Sequence, residues 1–97
     1  MTSHYRFVVI QTYQAVGEAS PHTIRARVLP GQALPETMRV ECSSQMRESH
    51  PISTRFKVRA NIKDTEKEPH LYTSYQWSYD ILTPAKASAF IKAKNWY

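Results

Sequence analysis

The chain has 97 residues and a formal net charge of +5, from 13 Lys and Arg against 8 Asp and Glu. This length predicts one domain over residues 1–97 and excludes a multidomain architecture, because a single core usually serves ~100–150 residues. The two glycines exclude a glycine-rich phosphate loop, and the single cysteine, Cys42, excludes an intrachain disulfide.

Two strands are predicted at the start of the chain. Residues 4–15 carry apolar side chains at both alternating sets of positions, which is typical of a central strand covered on both faces. Residues 22–29 place Arg25 and Arg27 opposite apolar neighbours, which predicts a strand with one buried face. The pair Pro30-Gly31 then predicts a turn, since proline presets φ and glycine accepts a positive φ.

Residues 36–49 allow two interpretations. A helix is indicated by apolar side chains that recur every four residues, namely Leu34, Met38, Cys42 and Met46. A short strand is indicated by the alternation of apolar and charged residues around Val40. We prefer the strand, followed by a helical turn over residues 45–48, because Val40 would lie off the apolar face of a helix and Ser43-Ser44 suit a helix cap.

The clearest strand is predicted over residues 53–63, where apolar and polar residues alternate strictly. The side chains predicted to be buried are Phe56, Val58, Ala60 and Ile62. Residues 71–82 are predicted to pair back on this strand as a hairpin. The side chains assigned to its buried face are Leu71, Thr73, Tyr75, Trp77, Tyr79 and Ile81, which leaves Tyr72 on the polar face.

A C-terminal helix is predicted after Thr83-Pro84, because threonine caps a helix and proline fits its first turn. Its packing stripe is expected to include Ala89, Phe90, Ala93 and Trp96. The predicted fold class is therefore mostly β (α+β), with a five-stranded antiparallel sheet and a C-terminal helix. This order of elements is similar to an OB-type barrel, a partly closed barrel of five strands.

The two halves of the chain also allow an alternative fold. Arg6-Phe7 recurs as Arg55-Phe56 and Pro21-His22 as Pro69-His70, at spacings of 49 and 48 residues. A tandem ββα–ββα arrangement would account for these matches. We prefer the single barrel, because weak matches of this kind are expected by chance in any strand-rich chain.

A basic sheet face is the strongest functional indication in the sequence. Cations on the predicted strands, with one tyrosine as a base-stacking candidate, form the candidate nucleic-acid-binding set: Arg25, Arg27, Arg39, Arg55, Lys57, Arg59 and Tyr72. Clustered cations on a sheet attract phosphates, and exposed aromatic rings stack on the bases of single-stranded DNA or RNA. The competing interpretation is an ordinary solvated strand face, which keeps a β protein from pairing with other chains.

No catalytic residue, metal site or cofactor is predicted. The four histidines are dispersed, and Cys42 with His50 would lack a third residue to orient them as nucleophile and base. A buried, inert thiol is expected at Cys42 instead. We therefore expect a non-enzymatic binding module. Its partner is a nucleic acid or, alternatively, a protein or a second copy bound at a strand edge or at the Trp96-Tyr97 tail.

The expected location is the cytoplasm, with no membrane contact. A lone thiol fits a reducing compartment, and the first residues lack a signal-peptide pattern. The longest apolar run, residues 7–10, is too short to cross a bilayer.

Overall fold

The computed structural model of the chain describes residues 6–14, 24–32, 34, 37–63, 69–74 and 76–93. In chain order its elements are β1 (Arg6–Gln14), β2 (Ile24–Val28), β3 (Arg39–Glu41), α1 (Ser44–Glu48), β4 (Arg55–Lys63), β5 (His70–Tyr72), β6 (Tyr79–Leu82) and α2 (Pro84–Lys92). The fold is therefore mostly β with a C-terminal helix, as predicted. Within these described ranges, no helix has the length and apolar character needed to cross a membrane.

The strands form one sheet in the order β2-β1-β4-β5-β3, with β6 added to β4. Paired strands are antiparallel, except that β3 and β5 run parallel. The two end strands of this order, β2 and β3, contact each other but form no ladder within the described residues. The sheet is thus a nearly closed barrel, which confirms the predicted OB-like fold. Its parallel β3–β5 pair is the one departure from the antiparallel sheet expected from the sequence.

Strand β1 joins the two halves of the chain. It pairs with β2 through residues 10–14 and with β4 through residues 6–11. The two halves therefore share one sheet, which favours the single barrel over the tandem ββα–ββα alternative.

The core lies inside the barrel and is built from alternate residues of its strands. Its largest fully buried apolar side chains on the inner face are Phe56, Ile10, Leu71, Val8, Val28 and Val58. The alternation predicted for β4 is confirmed at its first three apolar positions. The burial predicted for Ile62 is wrong, because this residue is 37 % exposed. Ile62 lies beyond the part of β4 that pairs with β1, so fewer strands surround it.

Both faces of β1 are covered at the centre of the strand, as its sequence predicts. Val8 and Ile10 belong to the core, while Val9 points to the opposite, outer face and is also fully buried. Val9 pairs with Lys57, whose ammonium lies 5.4 Å from the ring centroid of Phe90 in α2. Helix α2 therefore lies across the outer face of the sheet.

The continuous strand predicted over residues 71–82 is wrong in its middle. The chain pairs with β4 as β5, leaves the sheet, and returns to the same strand as β6. Tyr72 pairs with Asn61, so a continuous antiparallel strand would bring position 75 opposite Val58. Val58 instead pairs with Tyr79, which means that the chain between β5 and β6 has four extra residues. These extra residues form a loop at the edge of β4.

The burial predicted for this segment is confirmed at one end and wrong at the other. Leu71 and Thr73 are buried, and Tyr75 lies outside the described residues. Tyr79 and Ile81 share a face with Phe56, yet they are 38 % and 54 % exposed. Among the described strands, β6 pairs with β4 alone, so the core does not extend over it.

Both helices begin where their caps predict. The Ser43 hydroxyl accepts a hydrogen bond of 3.3 Å from the backbone N–H of Met46, at the start of α1. The Thr83 hydroxyl accepts one of 3.2 Å from the backbone N–H of Lys86, at the start of α2. Residues 36–49 are therefore a short strand followed by a helical turn, as we preferred from the sequence.

The packing stripe predicted for α2 is confirmed at Phe90 and wrong at its two alanines. Ala89 and Ala93 are exposed, and Trp96 lies outside the described residues. The buried residue is Ala87, and Phe90 and Ile91 are half-buried. The spacing i, i+3, i+4 is the ordinary helical one, but the stripe begins two residues earlier than predicted.

The turn after β2 ties the barrel to α2. Gly31 has a φ of +95°, and an added Cβ would lie 2.9 Å from Cγ2 of Ile91. Beyond the end of β2, the Gln32 side chain forms hydrogen bonds with the backbone of β1. It accepts a hydrogen bond from the Val9 N–H (2.8 Å) and donates to the carbonyl oxygens of Val9 (2.9 Å) and Leu29 (3.0 Å).

Candidate functional site

Cross-strand pairing brings most of the predicted cations to the outer face of the sheet. Arg27 on β2, Gln11 on β1 and Arg55 on β4 form one row across three strands. The neighbouring rows follow β1 from its end to its start. Arg25 pairs with Tyr13, Lys57 with Val9, and Arg59 with Phe7. Five of the six predicted cations therefore share one face of the sheet, and Arg39 belongs to a different pair of strands.

Helix α2 covers the middle of this face. Arg55 is half-buried and lines a cavity of about 220 Å³ with Ala87 and Ile91 of α2. The Lys57 ammonium lies 3.7 Å from the Asp80 carboxylate and 5.4 Å from the Phe90 ring. Lys57 therefore has an acidic partner and Arg55 is partly covered by α2, so the outer face is divided into two parts.

The strongest concentration of cations lies at one side of that face, in the gap between β2 and β3. A groove of about 430 Å³ opens there, lined by Tyr13, Arg25, Ala26, Arg27, Thr37, Met38, Arg39, Val40 and Arg47. We call this site the arginine groove, after Arg25 and Arg27 of β2, Arg39 of β3 and Arg47 of α1. None of the described residues that line it is acidic. Four arginines thus line one recess, and guanidinium groups favour anions.

Arg47 is fixed in place by the fold. Its Nη1 donates a hydrogen bond of 2.9 Å to the carbonyl oxygen of Ile24, which ties α1 to the start of β2. Its Nε atom is buried and has no hydrogen-bond partner within the described part of the chain. The sequence analysis missed Arg47, because only the helical turn after Ser43 brings this residue back to β2.

Tyr13 is the aromatic residue of the groove. It lies directly opposite Arg25 in the β1–β2 ladder and is half-buried. The guanidinium carbon of Arg27 lies 5.4 Å from its ring centroid, within cation–π range. Sequence reasoning placed Tyr13 in the first strand but did not single it out, because its neighbour Arg25 comes from a different strand.

The remaining predicted site residues lie outside the lining of the groove. The Lys63 ammonium is 4.6 Å from the ring centroid of Tyr72, and the Trp77 ring meets Tyr72 edge-on at 6.0 Å. Arg59 lies 5.9 Å from the ring of Phe7, which is 40 % exposed. Tyr72 and Tyr13 each have a cation over the ring, but Tyr72 also has the Trp77 ring against it and lies outside the lining of the groove.

The groups that could support catalysis have structural contacts instead. Burial raises the pKa of the Cys42 thiol, and the nearby Arg47 charge opposes this rise only in part. The His50 ring packs edge-on against Phe56 and Tyr79, and its Nε2 lies 3.2 Å from the Tyr79 hydroxyl. In the described ranges, no three His, Cys, Asp or Glu side chains form a group that could hold a metal ion.

Comparisons with protein-family models, with curated proteins and with solved structures found no match for this chain. The fold is a small OB-like barrel, and the arginine groove is its candidate functional site.

Proposed function

We propose that this protein is a non-enzymatic module that binds nucleic acid through the arginine groove. The observation that carries the proposal is the convergence of four arginines from β2, β3 and α1 on one recess whose described lining contains no carboxylate. A guanidinium group donates two parallel hydrogen bonds to a phosphate, so this lining suits the phosphodiester backbone.

The position of the groove in the barrel supports the same function. OB-type barrels bind oligonucleotides on the face formed by their second and third strands, and the arginine groove lies between β2 and β3. Because fold alone does not determine function, this analogy counts only together with the arginines. The net charge of +5 adds a long-range attraction to polyanions. A cytoplasmic location, expected from the lone thiol, would give access to such ligands.

A protein partner at a strand edge is the alternative. Tyr79 and Ile81 of β6 are exposed and lie on a strand that pairs on one side only within the described residues. The Trp96-Tyr97 tail lies outside those residues. The described residues of β6 give no indication of a partner's chemistry, whereas the arginines of the groove favour phosphate, and we therefore favour nucleic acid.

The proposal is tested by measuring how salt weakens binding. Fluorescence anisotropy of a labelled 12-nucleotide oligo-dT is followed in 50–200 mM salt for the wild type and for the double variant Arg25→Gln, Arg39→Gln. If four phosphates are neutralised on a single strand, the log–log salt slope of the wild type is about −3. Loss of two contacts is expected to reduce the slope by about one to two units and to weaken binding at every salt concentration.

A matched control separates the groove from net charge. The double variant Lys86→Gln, Lys92→Gln removes the same charge from exposed positions on α2, away from the groove. It is expected to keep the wild-type slope. Absence of binding at low salt would refute the proposal and leave the edge of β6 as the better candidate. Equal losses in the two double variants would refute it too, because the attraction would then be diffuse.

A further inference from the structure

We infer that the ligand of the arginine groove is a single strand, with one base stacked on Tyr13 and the flanking phosphates on the arginines. This inference rests on the proposed function and adds the class of nucleic acid. It also assigns a ligand contact to Tyr13, an aromatic residue that the electrostatic proposal does not include.

The surroundings of Tyr13 suit a stacked base. The ring lines the groove and is half-buried, so part of it is open to a ligand while its position is held by the barrel. Arg27 contacts the ring, and Arg25 lies directly across the ladder from it. Proteins that bind single strands combine an aromatic platform with a cationic track in this way.

The size and position of the groove disfavour a duplex at the same contacts. Its volume of about 430 Å³ lies within the range of small-ligand pockets, roughly 300–1,000 Å³, and suits a short segment of one strand. The groove is a recess between two strands of a barrel, and the bases of a duplex are paired and stacked. Bringing a duplex base to Tyr13 would cost the free energy of unstacking and unpairing, a few kcal/mol.

The lining also indicates weak dependence on base sequence. It contains no Asn, Gln, Asp or Glu within the described residues, and those side chains are the ones that read adenine and cytosine edges. Phosphate contacts position a strand without reading it, and every base offers a π face. Arginine can also read the O6 and N7 atoms of guanine, so any preference is expected to be for guanine, and strands of other sequence are expected to bind through phosphate and stacking contacts.

The first test uses the wild-type protein and three probes. These are a 12-nucleotide single strand of mixed sequence, the same strand in a duplex, and a strand of equal length and charge in which the bases are replaced by abasic tetrahydrofuran. The base-bearing single strand is expected to bind at least about fivefold more tightly than the abasic strand, since one stacked base contributes ~1–3 kcal/mol. It is also expected to bind more tightly than the duplex. Equal affinity for either pair of probes would overturn the inference.

The second test uses variants of Tyr13. Tyr13→Ala is expected to weaken binding of the base-bearing single strand at least about fivefold and to leave abasic binding unchanged. Tyr13→Phe keeps the ring and is expected to bind like the wild type, which also controls for folding. A Tyr13→Ala protein that binds like the wild type would overturn the stacking contact alone. Failure of the wild type to bind any probe would instead refute the proposed function.

Discussion

The Arg47 guanidinium donates a hydrogen bond of 2.9 Å to the carbonyl oxygen of Ile24, which joins α1 to the first residue of β2. This contact holds one wall of the arginine groove against the other, because α1 follows β3 directly in the chain. Arg47 therefore has two roles that can be separated: its Nη1 bond supports the fold, and its charge belongs to the groove.

Replacement of Arg47 tests both roles. Arg47→Met keeps most of the apolar stem but leaves the Ile24 carbonyl without this donor, and the loss is expected to destabilise the protein by about 1–2 kcal/mol. Arg47→Lys keeps the charge and is expected to retain the salt slope of binding while losing part of the stability. Urea denaturation measures the first effect and oligo-dT binding the second. An unchanged urea midpoint in Arg47→Met would show that the bond to Ile24 contributes nothing.

Gln32 offers a test of how the barrel edge is closed. Gln32→Ala removes the one carboxamide that bonds to both the N–H and the carbonyl of Val9 and to the carbonyl of Leu29. The buried Val9 backbone would lose these partners, so a cost of about 1–3 kcal/mol is expected in denaturant unfolding. Gln45→Ala is the control, because Gln45 is exposed on α1, and its effect is expected within about 0.5 kcal/mol. Similar midpoints for the two variants would contradict this role of Gln32.

Gly31 is expected to be intolerant of any side chain. Its φ of +95° disfavours L-residues, and an added Cβ would meet Cγ2 of Ile91 at 2.9 Å. Gly31→Ala is therefore expected to lower the free energy of unfolding by at least about 1 kcal/mol. In an Ile91→Ala background the steric part disappears and only the backbone strain persists, so the cost is expected to be smaller. An equal cost in both backgrounds would show that α2 does not press on this turn.

The Cys42 thiol is expected to react slowly in the folded protein. Burial raises its pKa, so at pH 7–8 a smaller fraction is thiolate than in an unfolded chain, and the reactive fraction grows only at higher pH. The rate of reaction with a thiol reagent, measured with and without urea, checks this. Cys42 is half-buried, so the folded protein is expected to react more slowly than the unfolded protein at pH 7.5, and equal rates would mean that the fold does not shield the thiol.

Phe56 and Ile81 lie opposite each other in the β4–β6 ladder but have different burial. Phe56 is fully buried, and Phe56→Ala is expected to cost about 3–5 kcal/mol. Ile81→Ala removes an exposed side chain and is expected to cost less than about 1 kcal/mol. Thermal or urea unfolding measures both. A large cost at Ile81 would indicate that β6 is covered in solution, which would favour a partner at that edge.

Local rules predicted much of this fold. The alternation of β4 and the caps at Ser43 and Thr83 each depend on a few neighbouring residues; the caps were predicted correctly, and so was the alternation up to Ala60. The split between β5 and β6 was not predicted, for a geometric reason. The extra loop adds four residues, an even number, so the period-two pattern from Leu71 to Ile81 stays in phase across the break.

The site was harder to predict than the fold, because it depends on how the barrel closes. Arg25, Arg27 and Arg39 were in the predicted set, and they line the groove. Tyr13 and Arg47 were not, since only long-range pairing and the α1 contact bring them to it. Arg55 and Lys57 were grouped with the others by alternation, but the docking of α2 covers them.

The most direct test of binding in the arginine groove is a titration of ¹⁵N-labelled protein with the 12-nucleotide single strand. A chain of 97 residues suits backbone NMR, and the amide shifts locate the ligand residue by residue. We expect the largest changes in β2, β3 and α1, at residues 24–28 and 39–48, together with Tyr13. Largest changes at residues 59–63 of β4 or along α2, with β2 and β3 unaffected, would contradict binding in the groove.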